Sequence, residues 1–392
     1  MGKNKNRYYK APVLSLISKK QPISRIRIGE ITGIRLATIT EVVRELLESG
    51  LVRETGRIRN RQGVGRKEKL LEIIPEGRYF LGCELLSSQV RVLALNFAGE
   101  VLKLTSVPLC GREGTSAILE KIAGGISSLV KEIMLPEKKI HGLGFVDPGI
   151  IDDEKGISVF STIMPGWSNV PVKQYLQEKL GFRVHMINTS QAKVLAENSF
   201  GSGRNVDNLI FIEYGEGISC GIISEKTLIG GYKEVAGEMG HFNFPDRNEK
   251  CGCGRKGCLE AIASIPAIEK RFRQYTGMGK QSFKKGRISI GDVVEASEKG
   301  DPLAEKVMNE TSMYLSSAVA SVVKLLNPEV VILDRNFLKL GKKFLSVFEN
   351  DVNGNLLYGE KVKFRVSNLG KEQASLGGAA LVLQNFLRKL DR

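Results

Sequence analysis

Apolar residues recur over the first fifty positions at the spacing of short helices, then give way to runs that read as strands. Val13, Leu14, Leu16 and Ile17 share one face of a helix predicted over residues 11–20, which ends on Lys19 and Lys20. Pro22-Ile23-Ser24 supplies the next helix start, with Ser24 as the expected N-cap and Ile28 and Ile31 expected to point inward. Beyond Gly33, the stripe Ile39, Val42, Val43, Leu46 and Leu47 predicts a longer helix over 36–48, ended by Gly50. Residues 51–54 and 70–73 read as strands on either side of a Gly- and Arg-rich segment, 55–69. Further on, strand-like runs at 90–97, 209–214 and 328–333 alternate with helical stretches, and 374–388 predicts a terminal helix. Such alternation indicates an α/β body. The chain carries no repeat at a short solenoid period.

The first seventy residues carry the chemistry of a DNA reader. Two helices joined by a Gly-containing turn, the second with Thr38, Glu41 and Arg44 on its outer face, match a helix-turn-helix. Between the two following strands, Arg57, Arg59, Arg61, Arg66 and Lys67 sit among Gly56, Gly63 and Gly65, as in a basic wing. The formal net charge is +15, and residues 1–72 hold 17 Lys and Arg against seven Asp and Glu. A charge run is commonly only a solvated loop, and a three-helix unit also serves as an oligomerisation module. Placed just after a recognition-type helix, basic side chains on a glycine hairpin suit a minor groove or phosphates. Double-stranded DNA is therefore the expected macromolecular partner.

At 392 residues the chain is long enough for two or three domains. It lacks any run of about 18 uncharged apolar residues and any leader-like hydrophobic stretch, so a cytoplasmic protein with no membrane partner is expected. Of the six cysteines, Cys83, Cys110 and Cys220 lie in apolar stretches and are expected to be inert core residues. Cys251, Cys253 and Cys258 form a tight trio downstream of His241, with glycines between them that let the backbone wrap a small ion. In a reducing compartment this set points to metal rather than disulfides, and four N/S ligands suit tetrahedral Zn²⁺. With every position filled by protein, no site is left for an activated water, so the zinc is expected to be structural. Three free cysteines in a loop are the alternative.

Gly237-Glu238-Met239-Gly240-His241, followed by the cysteine loop and Leu259-Glu260, closely resembles the signature of the ROK family of repressors, open reading frames and sugar kinases. The resemblance covers nearly the whole chain. It includes Asp147-Pro148-Gly149, Pro165-Gly166-Trp167 and the stretch from Asn188 to Gly201, and the head is similar to that of the family's repressor branch. It implies two actin-like (ribonuclease H-like) α/β lobes with a sugar cleft between them. Residues 1–73 would form the winged helix-turn-helix, 74–187 with 375–392 the first lobe, and 188–374 the second lobe with its zinc loop. It further implies that Asn188, Glu238, His241 and Glu260 hold the hydroxyls of a sugar or sugar phosphate. A homodimer or higher oligomer would set two heads on an operator, with Arg35, Thr38 and Glu41 nearest the bases. Arg35 stands where the family usually has a helix-capping Ser. Two alternatives to sugar binding remain: that Glu238 and Glu260 only buttress the zinc loop, or that the cleft is vestigial.

The resemblance also marks what is missing. Where the family's kinases have an acidic residue, two glycines and a threonine to approach phosphate, this chain has Glu84-Leu85-Leu86-Ser87-Ser88. The Asp that would accept the sugar hydroxyl's proton is Thr189, and a hydroxyl cannot serve as that base. The second phosphate loop reads Gly215-Glu216-Gly217, and the late diglycine is Asp334-Arg335. Four departures on one function predict a non-enzyme that takes no ATP: a ligand-modulated repressor or activator of sugar metabolism. An ATP-dependent sugar kinase with a divergent nucleotide site is the alternative, and a zinc-stabilised docking module is a third.

Overall fold

The stripes of the first fifty residues close on one another. Helices α1 (Lys10–Lys20), α2 (Arg25–Thr32) and α3 (Leu36–Glu48) bury Val13, Leu14, Ile17, Ile28, Ile39, Val42, Val43 and Leu46 against one another. Ser24 caps α2 by accepting from the Arg27 N–H at 3.2 Å, and Gly33 ends it in the left-handed region. Strand β1 (Ile23–Ser24) and the wing strands β2 (Val52–Arg59) and β3 (Glu68–Ile73) form a three-stranded antiparallel sheet beside them. This is the arrangement of a winged helix-turn-helix. Ile31 departs from expectation: it is exposed in the last turn of α2, on the rim of a surface groove with Pro22, Ile23 and Arg27. The computed structural model describes residues 7–59, 68–276 and 288–390.

The body is built twice on one plan. In the first lobe β4 (Tyr79–Leu85), β5 (Gln89–Asn96) and β6 (Val101–Pro108) run as an antiparallel meander. Helix α4 (Thr115–Glu132) then leads to β7 (Ile140–Asp147), parallel to β4. A small sheet of β8 (Ile150–Asp152), β9 (Ile157–Phe160) and β10 (Ser168–Val170) and helix α5 (Val172–Leu180) precede β11 (Val184–Asn188), which is parallel to β7. The order is β11-β7-β4-β5-β6. Helix α6 (Thr189–Phe200) crosses to the second lobe, where β12 (Leu209–Tyr214), β13 (Ile218–Ser224) and β14 (Thr227–Leu228) repeat the meander. Helices α7 (Leu259–Ala263), α8 (Ile265–Thr276), α9 (Ile290–Glu298) and α10 (Pro302–Leu326) follow the cysteine loop. Strand β15 (Val330–Leu333), helix α11 (Lys342–Gly354) and strand β16 (Lys363–Val366) complete the order β14-β13-β12-β15-β16.

The terminal helix α12 (Gln373–Leu390) returns to the first-lobe sheet and crosses α6. The crossing is backbone against backbone: a Cβ at Gly377 would run into the Ala192 carbonyl, so only glycine fits. At its other end α12 joins the head, because Phe386 packs on Phe80 and Phe97 in the same cluster that holds the core of α1 and α3. Cys83 and Cys220 are buried, as expected, but Cys110 is exposed. It lies just past the end of β6, in a turn where Glu113 accepts from its backbone N–H. No helix among the described residues is long and apolar enough to cross a membrane.

Candidate functional site

The cysteine loop brings four ligand atoms together. His241 closes a one-turn 3-10 helix, Met239–His241, while Cys258 leads into α7. Between them Cys251 N–H donates to the Arg255 carbonyl at 2.8 Å, and Gly254 and Gly257 take left-handed φ of +88° and +70°. The ligand atoms of His241, Cys251, Cys253 and Cys258 all lie within 4.8 Å of one another. Two thiolates bonded at about 2.3 Å to one tetrahedral ion stand about 3.8 Å apart. Here Cys253 Sγ and Cys258 Sγ are 3.7 Å apart, as are His241 Nδ1 and Cys251 Sγ. The backbone and side chain of Arg255 pull the exposed Cys253 thiol down to about 6, while burial pushes the Cys251 and Cys258 thiols up. The donor set fits a single metal ion.

His241 faces two ways. Its Nδ1 meets the thiols, and its Nε2 lies 3.8 Å from Glu238 Oε2. Burial pushes the Glu238 carboxyl above its ordinary range, despite His241, and the Glu260 and Glu213 carboxylates push it further. Glu260 accepts from the Ile218 N–H at 3.2 Å and sits 4.0 Å from Cys251 Sγ, so one carboxylate ties the cysteine loop to the start of β13. Asn188 stands at the end of β11 as the N-cap of α6, its Oδ1 accepting from Gln191 N–H at 2.9 Å and its Nδ2 donating to the Glu234 carbonyl at 3.2 Å. Glu234 was not anticipated from sequence. Its carboxylate accepts from Gln191 Nε2 at 2.9 Å, folding the loop that ends in Glu238 onto the start of α6. A lone acid after Gly230-Gly231 gave little signal of this.

A second set of polar side chains, at the positions where the resemblance would place the nucleotide, pairs within the chain. Arg91 donates to Glu84 at 2.5 Å within a buried pair; burial still lifts the Glu84 carboxyl above its ordinary range. Lys193, on α6, pairs with Glu213 at 2.9 Å and with Asp334 at 3.1 Å. Burial opposes its charge, but the two carboxylates outweigh that and hold the ammonium above its usual range. Asn336 donates through Nδ2 to the Tyr214 carbonyl at 2.7 Å, covering the start of Gly215-Glu216-Gly217. Thr189 donates to the Asp147 carbonyl at 3.3 Å. The Asp147 carboxylate, on the neighbouring strand end, is buried and accepts from the Gly149 N–H at 2.9 Å and from Trp167 Nε1 at 3.4 Å.

On the head, Arg35 occupies the N-cap of α3 without making a side-chain cap bond. Arg35, Glu41 and Arg44 are exposed, whereas Thr38 is half-buried. Arg44 is offset by Glu48 at 3.3 Å and Glu41 at 3.9 Å. Leu36 and Thr40 are exposed on the same helix and were not singled out from sequence. Arg57 and Arg59 lie on β2; Arg61, Arg66 and Lys67 lie outside the described residues. Glu54 joins the wing to α2 by accepting from Arg25 at 2.8 Å and pairing with Lys69 at 2.6 Å.

A model of the ROK family matches residues 82–385. The chain belongs to the ROK family. The xylose repressor of Caldicellulosiruptor bescii is 28% identical over 382 residues, covering 96% of this chain and 95% of the repressor. A glucokinase of Halalkalibacterium halodurans is 26% identical over 316 residues, 78% of this chain and 96% of the glucokinase. Among solved structures, a ROK family transcriptional regulator described as a homolog of the E. coli MLC protein superposes with a TM-score of 0.82. It is 27% identical, and 98% of each chain is covered. The match to the ROK repressor includes the head; the match to the ROK glucokinase covers a smaller share of this chain.

Proposed function

We propose that this ROK protein is a sugar-responsive, DNA-binding transcriptional regulator without kinase activity. The reading rests on one pairing. A basic winged head, in a chain that a relative named as a repressor matches over 96% of its length, is joined to a body in which Glu84–Arg91, Lys193–Glu213–Asp334 and Asn336 are paired where the family's kinases would hold phosphate. Residues 1–73 read DNA, 74–187 with 375–392 form the first lobe, and 188–374 form the second. Base and phosphate contacts come from Arg35, Thr38, Glu41 and Arg44 on α3 and from the wing arginines. Asn188, Glu238, His241 and Glu260 face the sugar. The metal at His241, Cys251, Cys253 and Cys258 is zinc, which when bound would fix the His241 ring so that Nε2 stays aimed at Glu238. The working form is a cytoplasmic homodimer on a two-fold operator.

The test is fluorescence anisotropy on duplexes selected from a random pool, at several salt concentrations, with and without sugars. Affinity should fall steeply with salt, by about 10³ between 50 and 200 mM if roughly six phosphates are contacted. One sugar should change it further. A flat salt response with no preference over random DNA would sink the DNA reading. ATP-dependent phosphorylation of a hexose by the same preparation would restore the kinase reading that the glucokinase relative keeps in view.

A further inference from the structure

Helix α8 turns a basic face toward the segment that leads into the cysteine loop. Ala267, Lys270, Arg271 and Gln274 recur at the spacing of one helical face. With Ala261 of α7 and residues 246–250 they line a cavity of about 480 Å³. None of these residues belongs to the metal set or to the four assigned to a sugar.

The cavity is rich in donors, and its carboxylates are already engaged. Glu249 accepts from Arg247 Nε at 3.2 Å, and the Asp246 carboxylate accepts from the Tyr314 hydroxyl. Glu310, on α10, is shared by two guanidiniums, Arg271 at 3.3 Å and Arg247 at 3.7 Å. Arg271 is 5% exposed and also donates to the Thr311 hydroxyl at 2.7 Å and the Val307 carbonyl at 3.4 Å. Its Nε, equally buried, has no acceptor among the described residues, and a buried donor left unmatched is destabilising. Burial pushes the Arg271 guanidinium below its ordinary range; Glu310 opposes this and Arg247 adds to it. Burial opposes the Arg247 charge too, but there Glu249 outweighs it. Lys250 and Lys270 are exposed at the cavity and make no ion pair among the described residues, and the side-chain amides of Asn248 and Gln274 stand beside them. Arg247, Lys250, Lys270 and Arg271 are thus set against Asp246, Glu249 and Glu310, and the charge left over is that of the two lysines.

We infer that this cavity binds a small phosphate-bearing anion, either inorganic phosphate or a phosphate monoester. Lys270 from α8 and Lys250 from the loop contact the phosphate oxygens, while Arg247 and Arg271 supply the positive field behind them. A tetrahedral group with several acceptor oxygens reaches donors on both walls at once. Because residues 246–250 run directly into Cys251, the ligand holds the cysteine loop against α8.

The experiment is calorimetric titration of the full chain, with its metal bound and in phosphate-free buffer, with inorganic phosphate, D-glucose 6-phosphate, D-glucose and citrate. At least one of the two phosphate compounds should bind at one site per chain, and citrate more weakly. A tighter ester makes a metabolite the ligand and a tighter inorganic phosphate the free ion; either result supports the site. The basic head is a competing trap for anions, so variants decide. Lys250→Ala and Lys270→Ala should each weaken phosphate binding by about tenfold, the loss expected for one charge-assisted contact, and leave duplex binding unchanged. Lys270→Ala lies on α8, apart from the metal ligands, and keeps the test available should Lys250→Ala disturb the metal. Phosphate affinity unchanged in both variants places the anion on the head and overturns the inference. So does citrate binding as tightly as the better phosphate compound, or no binding by either phosphate compound.

Discussion

Histidine 141 shows how a single half-buried side chain links stability to pH. It lies on β7 with its ring edge-on to Phe386 at 4.7 Å, where the first-lobe sheet meets α12. Burial, with the nearby charges of Lys389, Arg183 and Arg78, lowers its pKa from 6.5 to about 4. The folded state therefore resists a proton that the unfolded chain accepts near its ordinary value. The stability owed to the neutral ring is complete above pH 6.5 and is lost as pH falls through the window toward 4. His141→Phe keeps an aromatic ring against Phe386 and removes the titration. Urea midpoints across pH 7 to 4 should decline less steeply for the variant over that window. Parallel curves for the two proteins would show that His141 carries none of the acid sensitivity.

Helix α3 poses a choice between stability and recognition that its N-cap makes testable. Arg35 at that position leaves the first N–H groups without a side-chain acceptor. Arg35→Ser should stabilise the protein by about 1 kcal/mol through a new cap bond, read as a higher thermal midpoint. The same change should weaken duplex binding and lower the salt slope by about one unit, since one phosphate contact is removed. A higher midpoint with unaltered DNA binding would take Arg35 out of the interface. The limits of α3 were legible because an uninterrupted stripe and Gly50 mark them, and Ser24 was legible because capping is local. Ile31 was misread because periodicity gives a face but not where the core ends, and Cys110 because an apolar neighbourhood in sequence ran out into a turn. What sequence could not give is long-range pairing. Lys193 meets Asp334 across 141 positions, and the duplicated sheet order is a property of hydrogen-bonded strands with no matching repeat of residues.

At the scale of the molecule, α12 touches α6, the first-lobe sheet and α1 of the head. Near its start Gly377 lies against the Ala192 backbone of α6, where a Cβ would find no room. Near its end Phe386 packs at 5.9 Å on Phe80 and 5.8 Å on Phe97, in the cluster that continues into Val13, Leu14 and Ile17 of the head. A rotation of the lobes about the glycine contact would displace the far end of this 18-residue helix most, and that end is the one bonded by packing to the reader. Sugar in the cleft and DNA on α3 would then be coupled through α12, with a coupling of about 1–3 kcal/mol being typical of such devices. Phe386→Leu loosens the aromatic contact without emptying the site, which matters because Phe→Ala in a core costs about 3–5 kcal/mol. The variant is expected to bind the sugar within about twofold of the native protein by calorimetry. Its duplex affinity, followed by anisotropy, should change much less on adding that sugar. Full retention of the sugar effect in a folded Phe386→Leu protein would exclude this end of α12 as the route. Coupling would then have to run through other contacts between head and body, such as those of α1 and β5 in the shared cluster, where the same two measurements on variants there would find it.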